Sequence, residues 1–346
     1  MNAPWQKKFP YIIAEAGVNH NGSLELALGL VEAAKGAGAD CVKFQAFTAS
    51  ELVTRAAAKA EYQKAAGKAG EGQFEMLRRL ELSPEQFGRI LEHCRKQGID
   101  FLITPFSVRW VEVLQKLGVA AWKIGSGNLQ TFGLLEAIGA TGRPVILSTG
   151  MSRMEEVQAA IAILKNNGCG DLAILQCVST YPTPLAKANL AGIGTLQRAT
   201  GLPAGYSDHT REVFTGGLAV AAGAALLEKH FTLDKGLEGP DHAMSLTPGE
   251  LKEYGARARQ AAAALGDGQK QVTPEEEPIR AIARTSVVAA CFILKGMKLT
   301  REMLTAKRPG TGIPGDRLAE VAGRVALRDI RQDEILRLDD LGQFLT

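Results

Sequence analysis

The sequence lacks the features that mark membrane, exported and nucleic-acid-binding proteins. No apolar stretch reaches the roughly 18 residues of a membrane span, and residues 1–10 lack the apolar core of an export signal. The basic residues are scattered, without runs or interleaved aromatic residues, and the net charge is only +3. The five cysteines include no CxxC pair, which indicates reduced thiols. We therefore expect a cytoplasmic protein that binds neither membranes nor nucleic acid.

The remaining composition is that of an ordinary globular protein. Of the 346 residues, 46% are hydrophobic and 22% are charged. This length allows one large domain and a smaller one. A core of that size needs neither disulfides nor a structural metal.

Short apolar runs alternate with helical patterns over the larger part of the chain. The eight strand candidates are Tyr11–Ala14, Asp40–Phe44, Phe101–Ile103, Ala121–Ile124, Pro144–Leu147, Leu172–Leu175, Pro203–Tyr206 and Ala225–Leu227. An Ala- and Lys-rich insertion from Thr48 to Leu82 precedes a helix that Ser83 caps and Pro84 begins. Eight such units in roughly 270 residues match a TIM (β/α)8 barrel. The rival is a doubly wound open sheet, but that fold would gather polar strand ends at one switch point, whereas here nearly every strand ends in polar residues.

The amino-acid composition changes after Gly266. A polar stretch that includes Thr273-Pro274-Glu275-Glu276-Glu277-Pro278 is typical of a linker. Short β-type runs then appear between glycine and proline turns. We predict a barrel domain over residues 1–268, a linker over 269–284 and a small β-rich domain over 285–346.

The predicted strand ends carry most of the reactive side chains. In a TIM barrel these ends meet at one mouth, which explains why the apolar run before Glu228-Lys229-His230 ends in three ionisable residues. Lys43 and Gln45 share a face because side chains alternate along a strand. The other candidates at strand ends are Glu15, Thr104, Lys123, Ser126, Ser148, Ser179, Tyr181 and His209.

Two pairs of these residues indicate a chemistry. Lys43 and Lys123 have apolar neighbours, and buried lysines need partners; a phosphorylated anion suits them, and a protein carboxylate such as Glu15 is the alternative. His209 and His230 end neighbouring strands and could share a divalent ion that polarises a carbonyl, or each could be a hydrogen-bonded structural residue. Two protein ligands are too few for a closed structural zinc site.

A set of motifs in fixed order resembles the sialic acid synthase family, which includes N-acetylneuraminate synthases and their legionaminic and pseudaminic acid relatives. The motifs are "IIAEAGVNHNG", "VKFQAF", "TPFS", "KIGSGN", "ILSTGM", "YPTP", "SDHT", "EKHFT" and "GPDHAMSL". The tail "RTSVVAACFILKGMKLT…KRPGTGIPGDRL" resembles that family's antifreeze-like (SAF) domain. The resemblance covers essentially the whole chain.

The resemblance implies an enzyme that condenses phosphoenolpyruvate with an N-acetylmannosamine-type sugar and releases phosphate. It implies that phosphoenolpyruvate is bound by Lys43, Thr104, Lys123, Ser126 and Ser148. It implies sugar contacts from Gln45, Ser179, Tyr181, Asp241 and Arg308. It further implies a Mn²⁺ or Mg²⁺ ion on His209 and His230, and catalytic roles for Glu15, Lys43, Lys123 and Asp241. Arg308 would enter the barrel of a partner subunit, which implies a domain-swapped homodimer.

Two departures leave the acceptor sugar open. Asn128 stands where the family commonly has an acidic residue, and Ser179 stands where some members have Asn. Two other functions remain as alternatives. One is a keto-sugar aldolase that uses a metal or a Schiff base on Lys43 or Lys123. The other is a non-enzymatic carbohydrate- or ice-binding protein, which the tail alone would suggest.

Overall fold

The structure, a computed structural model, describes residues 3–6, 8–59 and 71–344. Eight parallel strands close into a barrel in chain order, which confirms the predicted TIM barrel and excludes the open sheet. The strands are β1 Tyr11–Gly17, β2 Cys41–Ala46, β3 Asp100–Pro105, β4 Trp122–Ile124, β5 Val145–Ser148, β6 Leu172–Cys177, β7 Ala204–Asp208 and β8 Leu226–His230.

Helices follow the strands. They are α1 Leu24–Gly36, α2 Ala49–Leu52, α3 Gln73–Arg79, α4 Pro84–Gln97, α5 Val108–Leu117, α6 Phe132–Gly139, α7 Met154–Asn166, α8 Gly192–Thr200, α9 Thr215–Ala221 and α10 Pro248–Leu265. The predicted cap of α4 is present: Ser83 Oγ accepts from the Gln86 amide, the Gln86 side chain bonds back, and Pro84 occupies the first turn. Helices α2 and α3 lie in the predicted insertion, whose residues 60–70 are outside the described part. No helix that the structure describes is long and apolar enough to cross a membrane.

The barrel interior is divided into an apolar floor and a polar upper layer. The floor consists of side chains that point into the lumen near the amino ends of the strands: Tyr11, Ile13, Cys41, Leu102, Ala121, Ile146, Ala173, Leu175 and Leu226. Two residues further along each strand the next inward side chain sits one layer higher. Those positions include Glu15, Lys43, Lys123, Ser148 and Glu228, so the carboxyl ends of the strands carry the polar groups.

Residues 267–346 form a second compact unit, separate from residues 1–266. It contains two antiparallel strand pairs and two short helices. These elements are α11 Glu276–Ala283, β9 Ser286–Ala289, β10 Leu304–Lys307, α12 Leu318–Val321, β11 Arg324–Ala326 and β12 Leu341–Phe344. The predicted linker over 269–284 is therefore partly helical. Its Pro and Glu residues are typical of linkers, but a first helical turn also favours them.

We predict that Gly205→Ala in β7 destabilises the barrel. An added Cβ would lie 2.4 Å from the Leu226 carbonyl oxygen and 2.6 Å from Leu175 Cδ2. Overpacking of this kind typically lowers the free energy of unfolding by about 1–3 kcal/mol, which chemical denaturation would measure. Gly133→Ala in α6 is the control, because its Cβ would meet no described atom within 4 Å; equal midpoints for the two variants would contradict the prediction.

Candidate active site

A cavity of about 370 Å³ opens at the carboxyl ends of the barrel strands. It brings together every site residue that the sequence predicted within the barrel. These are Glu15, Lys43, Gln45, Thr104, Lys123, Ser126, Ser148, Ser179, Tyr181, His209, His230 and Asp241. The strand ends therefore form one site, as the barrel topology requires.

The base of the cavity is a buried cluster of two lysines and two glutamates. Lys43 Nζ lies 2.9 Å from Glu15 Oε1 and 3.6 Å from Glu228 Oε2. Lys123 Nζ lies 3.8 Å from the same Glu228 oxygen. All four side chains are almost completely buried. Lys43 thus has the carboxylate partner that the sequence offered as the alternative, and it also lines the cavity; binding of a phosphorylated anion stays a prediction.

Hydroxyl groups surround the two lysines. Lys123 Nζ donates to Ser148 Oγ at 2.6 Å, and Lys43 Nζ donates to Thr104 Oγ1 at 3.4 Å. Ser126 Oγ accepts from the Gly150 amide at 2.9 Å. A Cβ on Gly150 would lie 2.3 Å from Ser179 Oγ, so glycine leaves these hydroxyls room to converge. Ammonium and hydroxyl donors converging on one buried space fit a multiply charged oxyanion.

The four charged groups do not titrate alike. Burial raises the pKa of Glu15 more than Lys43 lowers it. Burial would also raise the pKa of Glu228, but the attraction of Lys123 and Lys43 lowers it. Burial lowers the pKa of Lys123. Glu15 is thus the carboxyl that more readily takes up a proton, and its Oε2 has no hydrogen-bond partner among the described residues.

His209 and His230 face each other across the mouth, with ring centroids 5.5 Å apart. His209 Nδ1 lies 2.8 Å from the Val178 carbonyl oxygen; because that oxygen only accepts, Nδ1 carries a proton. Burial would lower the pKa of His209, but the hydrogen bond and charge of Cys177 raise it. His230 Nδ1 is buried without a hydrogen-bond partner among the described residues, 3.7 Å from Asp241 Oδ2. Burial and the neighbouring His209 hold the pKa of His230 well below its usual range, so it stays neutral.

These two imidazoles fit a divalent cation. Neutral imidazole is the form that ligates a metal, so a bound metal would displace any proton from Nε2 of His209. The carbonyl on Nδ1 of His209 is the usual support of a ligating histidine. The described residues contain no cluster of three or more metal-binding side chains. The candidate ligand set is therefore the histidine pair, with the other coordination positions open, as in catalytic sites.

Several cavity residues escaped the sequence reasoning. The sequence motifs do not single out Glu228, although its two-residue spacing from His230 places it on the same face. Cys177 also lines the cavity, with Sγ 3.8 Å from His209 Nδ1; burial would raise the pKa of its thiol, but His209 lowers it to about 7. One wall is apolar and consists of Val18, Met76, Leu77, Leu80 and Phe106.

Three residues that the sequence analysis singled out do not line the cavity of the described barrel. Lys229 does not open on the cavity, because alternation along β8 turns it outward while Glu228 and His230 point inward. Asn128 is buried and is not among the residues that line the cavity. Arg308 belongs to the second unit, where it is exposed and makes no hydrogen bond or ion pair with a described residue.

Comparisons with known proteins agree on one family. Residues 30–270 match the NeuB family, and residues 284–342 match the SAF domain. The N,N'-diacetyllegionaminic acid synthase of Campylobacter jejuni is 42% identical over 94% of this chain and 98% of its own length. The enzyme of the same name from Legionella pneumophila is 43% identical over 90% of this chain and 89% of its own. The crystal structure of an N-acetylneuraminic acid synthetase from Leptospira borgpetersenii in complex with citrate is also similar. Its chain is 34% identical, superimposes with a TM-score of 0.70, and the match covers 79% of this chain and 90% of the Leptospira chain.

We predict that Glu228→Gln destabilises the protein and that phosphate reverses part of the loss. Removing one partner of a buried ion pair typically costs about 3–5 kcal/mol, and the variant would leave Lys43 and Lys123 with one carboxylate. Inorganic phosphate should therefore raise the melting temperature of the variant more than that of the wild type. The control is Glu253→Gln, which removes a half-exposed partner of Arg257 and should cost less than about 1 kcal/mol. A Glu228 variant as stable as the control would contradict the prediction.

Proposed function

The chain belongs to the NeuB family, and we propose that it condenses phosphoenolpyruvate with N-acetylmannosamine or a related 2-acetamido sugar. The products are phosphate and a nonulosonic acid of the sialic acid type. One observation carries the proposal. Two buried lysines ringed by hydroxyls share a single cavity with two imidazoles, whose ring centroids are 5.5 Å apart, and a carboxyl of raised pKa.

Phosphoenolpyruvate suits the lysine side of the cavity. Its phosphate and carboxylate need cationic and hydroxyl donors, which Lys43, Thr104, Lys123, Ser126 and Ser148 supply. Their positions at the ends of β2 to β5 are fixed by the barrel. Donors held in place before the substrate arrives stabilise developing charge without reorganisation.

The acceptor sugar suits the histidine side. Tyr181 and Asp241 lie beside the histidines: the centroids of the Tyr181 and His209 rings are 4.0 Å apart, and Asp241 Oδ2 lies 3.7 Å from His230 Nδ1. Gln45 and Ser179 line the same cavity. His209 and His230 would hold Mn²⁺ or Mg²⁺, and a bound divalent ion would withdraw charge from the aldehyde oxygen. Placing both substrates in one cavity removes much of the entropic barrier to their reaction.

Glu15 lies between the two halves and suits a proton-transfer role. In the proposed reaction C3 of the enol attacks the aldehyde carbon, the aldehyde oxygen gains a proton, and water adds at C2. The C2–O bond then breaks and phosphate leaves. Glu15 has a raised pKa and a free Oε2, so it can hold the proton that the aldehyde oxygen gains and orient the water. Burial and the charge of Glu15 raise the pKa of Asp241 to about 6, which suits a sugar-binding carboxyl that also exchanges a proton.

Arg308 completes the proposed sugar site from a second subunit. Its guanidinium is exposed and makes no hydrogen bond or ion pair with a described residue of its own chain. We place it against the N-acetyl group in the barrel of a partner, in a domain-swapped homodimer. The barrel residues alone would then bind phosphoenolpyruvate but hold the sugar weakly.

Phosphate release from phosphoenolpyruvate tests the proposed function. The assay contains Mn²⁺ and a panel of acceptors that includes N-acetylmannosamine and a diacetamido 6-deoxy analogue, because two relatives are named N,N'-diacetyllegionaminic acid synthases. Release that requires one acceptor identifies both reaction and sugar. Absence of release across the panel, together with borohydride trapping of a keto-sugar on Lys43 or Lys123, would support the aldolase instead.

We predict that His209→Ala abolishes metal-dependent turnover while the melting temperature changes little. The side chain supplies one of two proposed ligands, and it lines the cavity, where its loss leaves a space open to solvent. His93→Ala is the matched control, because His93 lies in α4 and pairs with Glu32 away from the cavity. Normal turnover by the His209 variant would refute the metal assignment.

We predict that Arg308→Ala raises KM for the sugar more than KM for phosphoenolpyruvate. Only the sugar is proposed to contact this residue. Arg331→Ala removes another exposed arginine of the same unit and should change neither constant. If both variants behave as the wild type, the tail is not part of the site.

A further inference from the structure

A second ion pair lies behind the histidines, on the outer face of the barrel. Lys229 and Asp208 are each 1% exposed, and they are register neighbours on β8 and β7. Lys229 Nζ lies 3.1 Å from Asp208 Oδ2 and 5.5 Å from the centre of the Tyr254 ring. The pair is thus enclosed between the two strands and α10, outside the cavity.

Hydrogen bonds with Thr210 and Thr215 surround this ion pair. Lys229 Nζ donates to the Thr210 carbonyl at 2.6 Å and to Thr210 Oγ1 at 3.2 Å, besides its contact with Asp208. Asp208 Oδ1 accepts from the Thr210 amide and from Thr210 Oγ1, both at 2.8 Å. Asp208 Oδ2 accepts from Thr215 Oγ1 at 2.6 Å. The two hydrogen bonds of the ammonium and its ion pair with Asp208 therefore all lie at this strand end.

A buried ion pair of this kind is weak as a source of stability. The cost of desolvating two charges is often as large as their attraction, and apolar residues of similar size frequently serve as well or better. Two buried charges beside a site are therefore better explained by what they position.

The bonds converge on the residues that flank His209. Asp208 precedes it, and Thr210, which follows it, is held through its amide, its carbonyl and its hydroxyl. The His209 carbonyl accepts a hydrogen bond from the Thr183 amide at 2.8 Å. The Nδ1 atom of the His209 ring donates to the Val178 carbonyl. Lys229 directly precedes His230. One ion pair thus joins the two strands at the step that carries both imidazoles.

We propose that the Lys229–Asp208 pair is a positioning pair that fixes the separation of His209 and His230 and so sets the affinity of this histidine pair for a divalent cation. The proposal rests on the metal role given to these histidines under the proposed function. The loss of a group that bonds the ring of a ligating histidine typically lowers metal affinity by about 10–100-fold. We expect an effect on the same scale here, where the support acts on the backbone on either side of His209 instead of on its ring.

The test uses the double variant Lys229→Met/Asp208→Asn in the full-length chain, which removes both charges and leaves neither unpaired. Binding of Mn²⁺ alone is measured from the electron paramagnetic resonance signal of the free ion, and phosphoenolpyruvate affinity and melting temperature are measured beside it. We expect the Kd for Mn²⁺ to rise by about 10–100-fold, while phosphoenolpyruvate affinity changes less than about threefold. A purely structural role would lower both affinities together or neither.

The control is Arg259→Met/Asp40→Asn, which removes a less buried ion pair of 3.1 Å between α10 and the residue before β2, where Asp40 also pairs with Lys8. It should leave the Kd for Mn²⁺ unchanged. If the Lys229 double variant does not fold, the Thr215→Val variant tests the positioning role instead. It removes one hydrogen bond to Asp208 and should raise the Kd for Mn²⁺ severalfold.

The outcomes separate the two proposals. A folded double variant, or a Thr215 variant, with the wild-type Kd for Mn²⁺ overturns the positioning role and leaves the proposed function intact. A wild-type protein that binds no Mn²⁺ overturns the metal assignment and the positioning role with it. Phosphate release by such a protein would still support the condensation.

Discussion

The site depends on the ion cluster of Lys43, Lys123, Glu15 and Glu228 inside the closed barrel. Transferring four charged groups out of water is costly unless each finds a partner. The barrel meets this condition because its strands bring the groups to the same level; Glu15 is the register neighbour of Lys43. The apolar floor below keeps water away from them. The cluster therefore exists before any ligand arrives, and its donors need little rearrangement to receive one.

The same strand register places Glu15 between the two halves of the cavity. Glu15 pairs along the sheet with Lys43 on one side and with His230 on the other. The carboxyl thus lies between the two lysines and the imidazole pair. An incoming phosphoenolpyruvate would compete with the glutamates for the lysines, and the carboxyl with the raised pKa is Glu15. Anion binding and proton uptake at Glu15 are in this way physically linked.

The barrel, its mouth and most of the site could be predicted from the sequence because each depends on a local pattern. Strand ends at regular spacing identify the mouth, and the period of two identifies which side chains share a face. The same period, applied to residues 228–230, would have turned Lys229 outward. The apolar wall from α3, the pairing of Glu228 with both lysines and the helix Glu276–Ala283 depend on contacts or context that no local pattern contains.

The most direct test of the account uses phosphoenolpyruvate labelled with ¹⁸O in the oxygen that bridges C2 and phosphorus. The enzyme turns over this substrate with its sugar acceptor, and mass spectrometry follows the label. Because water is proposed to add at C2 and phosphate to leave by cleavage of the C2–O bond, the label should appear in the released phosphate. Label retained in the keto acid would mean cleavage of the P–O bond and would contradict the account.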